Sequence, residues 1–113
     1  MTLDELRPGT THRVRFTLRD RLRVPHCSGC YALATFEGSL IYVGLTDNLH
    51  RRLGEHLESP KKRSVSSIGR AWWFAYVAIP PNRIHQCERG WLEQHQAAHG
   101  RWPVFNHLAS PVY

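Results

Sequence analysis

Two tyrosines, an arginine, a histidine and a glutamate (Tyr31, Tyr42, Arg52, His56 and Glu88) stand at positions from which a single site can be built. Two phenols, a guanidinium and a carboxylate, with no serine or cysteine nucleophile in the set, suit phosphoryl chemistry. The carboxylate can hold one Mg²⁺ or Mn²⁺, and Mg²⁺ is a hard cation that takes few protein ligands and keeps several of its waters. Such a metal polarises a scissile phosphate and stabilises the leaving oxygen. The guanidinium is a planar fork matched to phosphate oxygens, and it keeps its charge throughout. Loss of a comparable electrostatic stabiliser costs about 10²–10³ in rate. Taken singly, each residue has a plainer reading as strand, helix-surface or packing residue. Their combination is what points to chemistry.

The elements around them must bring them together. Cys30 to Phe36 and Leu40 to Gly44 are short apolar runs on either side of Gly38-Ser39, a pair suited to a two-residue type II′ turn. That register pairs Phe36 with Ile41 and Thr35 with Tyr42. Side chains alternate along a strand. Ala32, Ala34, Phe36, Ile41 and Val43 then line one face, and Tyr31, Leu33, Thr35, Tyr42 and Gly44 the other. Thr46-Asp47-Asn48 offers N-caps for a helix to about Leu57, with Leu49, Leu53 and Leu57 as its apolar stripe. Arg52 and His56 stack on the edge of that stripe, and Arg51 points to solvent. Ser59 to Arg70 reads as a polar, basic loop, and Ala71 to Ile79 as a strand. After Pro80-Pro81 a second helix runs to His99, closed by Gly100. Its apolar face holds Ile84, Cys87, Trp91, Leu92 and Ala98, with Glu88 inside it and Glu93 opposite. The order strand, strand, helix, strand, helix predicts an α+β domain with an antiparallel meander.

A chain of 113 residues makes one domain. Residues 1–26 form a basic arm in which Arg13 to Arg19 alternates at a strand's period, so the arm can add a strand with Arg13, Arg15 and Arg19 outward. With 15 Lys and Arg against 9 Asp and Glu, the net charge of +6 suits a polyanionic partner. The arginine stripe and the run Lys61-Lys62-Arg63 are placed to hold a phosphate backbone without reading bases. No apolar run approaches the roughly 20 residues that span a bilayer. The first residues lack the basic and apolar regions of a signal peptide. Three cysteines (Cys27, Cys30 and Cys87) fit a reducing, intracellular compartment better than a disulfide framework. The Cys27-x-x-Cys30 pair with His85 and Cys87 invites a zinc reading, but Cys30 falls in the first strand, opposite Tyr31, where a buried thiol is expected. His95 and His99 are expected on the surface of the second helix.

Gly29-Cys30-Tyr31, Tyr42-Val43-Gly44, Arg52 and His56 together resemble the GIY-YIG nuclease superfamily, over roughly residues 29–107. The arginine eight residues after the second motif's glycine, and the histidine four later, match its spacing. The stretch is especially similar to the structure-specific, junction-cutting members. The resemblance implies a three-stranded antiparallel sheet flanked by helices, in a nuclease domain over residues 27–113. It also implies roles: Tyr31 activates or orients the attacking water, and Tyr42 supports the network of water and phosphate. Arg52 binds the phosphoryl group, His56 assists proton transfer or holds Tyr31, and Glu88 ligates a single divalent ion. Pro103-Val104-Phe105-Asn106 is similar to the family's Pro-x-x-Asn ending, whose asparagine braces the site. Glu93 lies nearer the usual distance before Asn106, so it stays an alternative ligand. Leu45 stands where some members carry lysine. The expected activity is metal-dependent hydrolysis of DNA phosphodiesters, with RNA open as a substrate. A module of the same fold that only binds nucleic acid or a partner protein is the rival reading. No separate recognition domain is evident, so specificity falls to the arm, the basic loop, substrate shape or a partner subunit.

Overall fold

In a computed structural model of the protein, which describes residues 1–108, the strands are β1 (His12–Arg15), β2 (Gly29–Ala34), β3 (Leu40–Thr46) and β4 (Trp73–Ala78). The helices are α1 (Leu49–Leu57), α2 (Pro60–Arg63), α3 (Ile84–His99) and α4 (Val104–Leu108). Residues 109–113, which the expected domain over 27–113 includes, lie outside the described residues. The strands form one antiparallel sheet in the order β1-β4-β2-β3. The expected three strands are therefore joined by a fourth from the arm. Val14 is buried in β1, with Arg13 and Arg15 exposed beside it. The strand ends at Arg15, whose N–H turns to the Asp20 carboxylate at 3.0 Å. Arg19 thus leaves the strand and precedes a 3-10 turn over Asp20–Arg23, away from the expected stripe.

Gly38 decides the hairpin between β2 and β3. It takes φ +90°, a conformation that a Cβ disfavours. The Gly38 N–H donates to the Thr35 carbonyl at 2.8 Å and the Thr35 N–H to the Ser39 carbonyl at 2.9 Å, so the loop is Phe36-Glu37-Gly38. The two-residue turn expected at Gly38-Ser39 does not form, because Gly38 serves as the last, left-handed residue of a longer loop. By itself that loop would send Tyr31 and Tyr42 to opposite faces. A bulge repairs the parity: Ala34 pairs with Leu40, but Leu33 pairs with Tyr42 and Tyr31 with Gly44, leaving Ile41 as the extra residue. The tyrosines share a face as the alternation predicts, in a register two residues from the expected one. Ile41 consequently joins the tyrosine-side core, and Leu40 takes the opposite face. Phe36, expected to pair with Ile41, sits in the loop and is 64% exposed.

Helices cover both faces of the sheet. Ile84, Cys87 and Trp91 of α3 pack on Cys30, Ala32, Ala34, Val43 and Ala75. Leu49 and Leu53 of α1 pack on Tyr31, Leu33, Phe74 and Tyr76. Asn48 caps α1, its side chain accepting the Arg51 N–H at 3.0 Å. The arm straps this helix: Arg21 Nε donates to the His50 carbonyl at 3.1 Å, and the guanidinium fills the space that a Cβ on Gly54 would need. The expected loop from Ser59 to Arg70 contains α2. Ser59 as N-cap and Pro60 at the first helical position are a helix start. Two residues of α3 depart from expectation. Ala98 is exposed, and His95 is buried because the chain folds back after Gly100 and brings the Arg101 carbonyl to 2.6 Å from Nδ1. Among the described residues, no helix is long and apolar enough to cross a membrane.

Candidate active site

β2 and β3 present Tyr31 and Tyr42 beneath α1, and the edge of α1 presents Arg52 and His56. The Tyr31 hydroxyl lies 2.6 Å from His56 Nε2, and the two residues are 1% and 7% exposed. Ring centroids are 6.1 Å apart between the tyrosines and 5.3 Å from each tyrosine to His56. Behind Tyr31, Phe74 stacks at 5.1 Å. Gly44 admits the phenol: a Cβ there would stand 2.5 Å from the Tyr31 oxygen.

Burial is the main reason that the Tyr31 phenol sits well above its ordinary pKa, and the Tyr42 and Glu88 charges push the same way while Arg52 opposes them. Burial likewise depresses His56 to about 3, with Lys62 and Arg52 adding repulsion. Both partners are neutral near pH 7. In the tautomer with the ring hydrogen on Nδ1, Nε2 accepts the phenolic proton.

Arg52 shows 16% of its side chain to solvent, and one terminal nitrogen holds Glu55 at 3.0 Å. Its Nε–H is buried and has no hydrogen-bond partner among the described residues. Buried donors are normally satisfied, and a phosphate oxygen would satisfy this one. Asn106 meets the edge strand β3: its Oδ1 accepts the Val43 N–H and its Nδ2 donates to the Val43 carbonyl, both at 2.9 Å. That pair pins the backbone between Tyr42 and Gly44.

The basic run expected to act as a unit divides. Lys61 and Arg63 are exposed. Lys62 is 7% exposed and holds Nζ 4.5 Å above the Tyr42 ring. The Ser59-Pro60 helix start was the signal that could have placed it. Arg13 and Arg15 are exposed on β1, stacked 4.9 Å over Trp73 and 5.6 Å over Trp72.

Glu88 is half-buried on α3 next to Cys87, and burial raises its carboxyl above the ordinary value while His85 draws it down. Its charge reaches Tyr31. Glu93 is exposed and lines a cavity with Pro8, Ile79 and Arg83 that includes no tyrosine. Among the described residues no three His, Cys, Asp or Glu side chains converge. One half-buried carboxylate fits a Mg²⁺ or Mn²⁺ that keeps most of its waters, whereas zinc requires three or four protein ligands. Cys27, Cys30 and Cys87 are free thiols, and Cys30 donates to the Ile84 carbonyl at 3.2 Å.

The family model described as the GIY-YIG catalytic domain matches residues 27–101. The UvrABC system protein C of Finegoldia magna is 30% identical over 73 residues, which cover 63% of this chain and 11% of that protein. The chain thus spans only a small part of that relative's length.

Proposed function

From the chain's membership of the GIY-YIG catalytic domain family, we propose that it is a metal-dependent endonuclease that hydrolyses phosphodiester bonds in DNA. One observation carries the reading furthest: a neutral, buried Tyr31–His56 pair beside an arginine whose Nε–H lacks an acceptor. A phosphate brought to Arg52 completes that donor. Its negative charge also offsets the cations that help to depress His56, making the ring a better base when substrate is bound.

Tyr42 is the more exposed phenol and so the one that meets water. As the water oxygen attacks phosphorus, its proton passes to the Tyr42 oxygen. The Tyr42 proton moves to Tyr31, and the Tyr31 proton to His56 Nε2, so each phenol ends neutral; the P–O bond to the leaving oxygen breaks as the new one forms, and that oxygen takes a proton from solvent. Glu88 is the residue that would hold Mg²⁺ or Mn²⁺, which when bound polarises the phosphate and stabilises the leaving oxygen. Asn106 keeps the Tyr42 backbone in place. Arg13, Arg15, Lys61 and Arg63 would grip the phosphate backbone, and substrate choice would come from the arm, the loop or a partner subunit.

The test is cleavage of labelled duplex, single-stranded and branched DNA, and RNA of the same forms, with Mg²⁺, Mn²⁺ or EDTA. Wild type is compared with Arg52→Ala, Glu88→Gln and Glu93→Gln. Metal-dependent cutting lost in the first two and kept in the third is the expected result. Survival of Glu88→Gln moves the metal to Glu93. Tight, salt-sensitive binding without cutting of any substrate replaces the enzyme with a binding module.

A further inference from the structure

Lysine is almost never fully buried unless it is paired. Lys62 is 7% exposed, and no described carboxylate forms an ion pair with it. Its ammonium lies over the face of Tyr42, a contact that offsets only part of the cost of burying a charge. Burial, Lys61 and Arg52 all act to weaken its hold on the proton. Arg52 is paired with Glu55 through one terminal nitrogen but keeps a buried Nε–H that has no acceptor among the described residues. The two positive charges repel each other, Glu55 neutralises only part of the pair, and a phosphate close to both would satisfy the Arg52 Nε–H and the Lys62 ammonium together. The placement is built in: Ser59 caps α2 and accepts the Lys62 N–H at 3.4 Å, with Pro60 at the first helical position.

We propose that Lys62 is a phosphate-contacting catalytic residue whose ammonium donates to a non-bridging oxygen of the scissile phosphate, across from Arg52. The proposal rests on the nuclease reading above. It separates Lys62 from Lys61 and Arg63, whose side chains are exposed. A group that stabilises the charge of the transition state acts on kcat, and one that holds the backbone acts on KM and on the salt dependence.

Single-turnover and steady-state cleavage would be compared for wild type, K62M, K62Q, K62R, K61M and R63M. The expected result is a fall of about 10²–10³ in kcat for K62M and K62Q, with KM within a few-fold of wild type. K62R should recover part of the loss. K61M and R63M should raise KM and flatten the salt slope by about one each. Melting temperature provides a readout that a purely structural role would move the other way: K62M removes a partly desolvated ammonium without an ion pair and should melt no lower than wild type. A wild-type kcat in both K62M and K62Q overturns the proposal, as does an effect confined to KM and the salt slope. If wild type cuts nothing, the nuclease reading fails separately, and inorganic phosphate becomes the probe. A thermal shift with phosphate in wild type and K61M that is lost in K62M supports the contact, and an equal shift in K62M overturns it.

Discussion

The Tyr31 hydroxyl and His56 Nε2 lie 2.6 Å apart in the protein interior, each the other's polar partner across β2 and α1. Removing one side leaves a buried polar group open, which costs about 1–3 kcal/mol. Tyr31→Phe and His56→Ala should therefore each lower stability. Together they should cost less than their sum, with a coupling of about 0.5–3 kcal/mol. Urea unfolding of the four members of the cycle measures it, and strict additivity would remove the bond from the account.

His56 also sets an acid limit. Its folded pKa of about 3 lies below the ordinary value of 6.5, so between those values the unfolded chain binds more protons than the native one. Its contribution to stability is full above pH 6.5 and is lost as pH falls towards 3, at up to about 1.4 kcal/mol per pH unit. His95, also depressed by burial, acts in the same direction. His56→Gln should melt with a shallower pH dependence across this range than wild type. An unchanged slope would show that the ring is not buried as a neutral base.

Gly44→Ala tests the fit of Tyr31. The new methyl would stand 2.5 Å from the phenolic oxygen, and a ring stacked on Phe74 has no free path away from it. Overpacking of this kind costs about 1–3 kcal/mol. A lower melting temperature and loss of cleavage are expected together. A variant that cuts and melts like wild type would mean that the ring yields.

Asn106→Ala removes both bonds to Val43 and frees the edge of β3 beside Tyr42. Stability should fall by about 1–3 kcal/mol, the figure for two lost hydrogen bonds of ordinary strength. Cleavage kinetics should lose kcat more than KM, because Asn106 positions the strand and is not expected to hold substrate. A loss confined to KM would instead assign it to substrate binding.

The arginines of the arm should not be equivalent. Arg13 and Arg15 stand on β1, stacked on tryptophans, and Arg19 lies beyond the strand. Neutralising Arg13 or Arg15 should reduce the slope of log K against log salt by about one, and Arg19→Ala should change it less. Equal effects from all three would favour diffuse attraction over an ordered track.

What depends on local periodicity was legible in the residues alone. Arg52 and His56 share an edge of α1 because four residues make about one turn, and Asn48 and Gly100 mark helix ends by their own chemistry. The shared face of Tyr31 and Tyr42 follows from alternation, but for a reason that the alternation does not contain: a three-residue loop and the bulge at Ile41 each change the parity, and together they restore it. Other features come from packing between distant segments. Whether Lys62 lies on the surface or over Tyr42, whether Asn106 reaches Val43, and whether β1 joins β4 depend on which surfaces meet when the helices close on the sheet. The same holds for Glu88 and Glu93, which lie on one helix and differ in how far they are buried. Backbone geometry sets direction over a few residues, whereas burial and partners belong to the assembled core, where contacts join residues far apart in the chain.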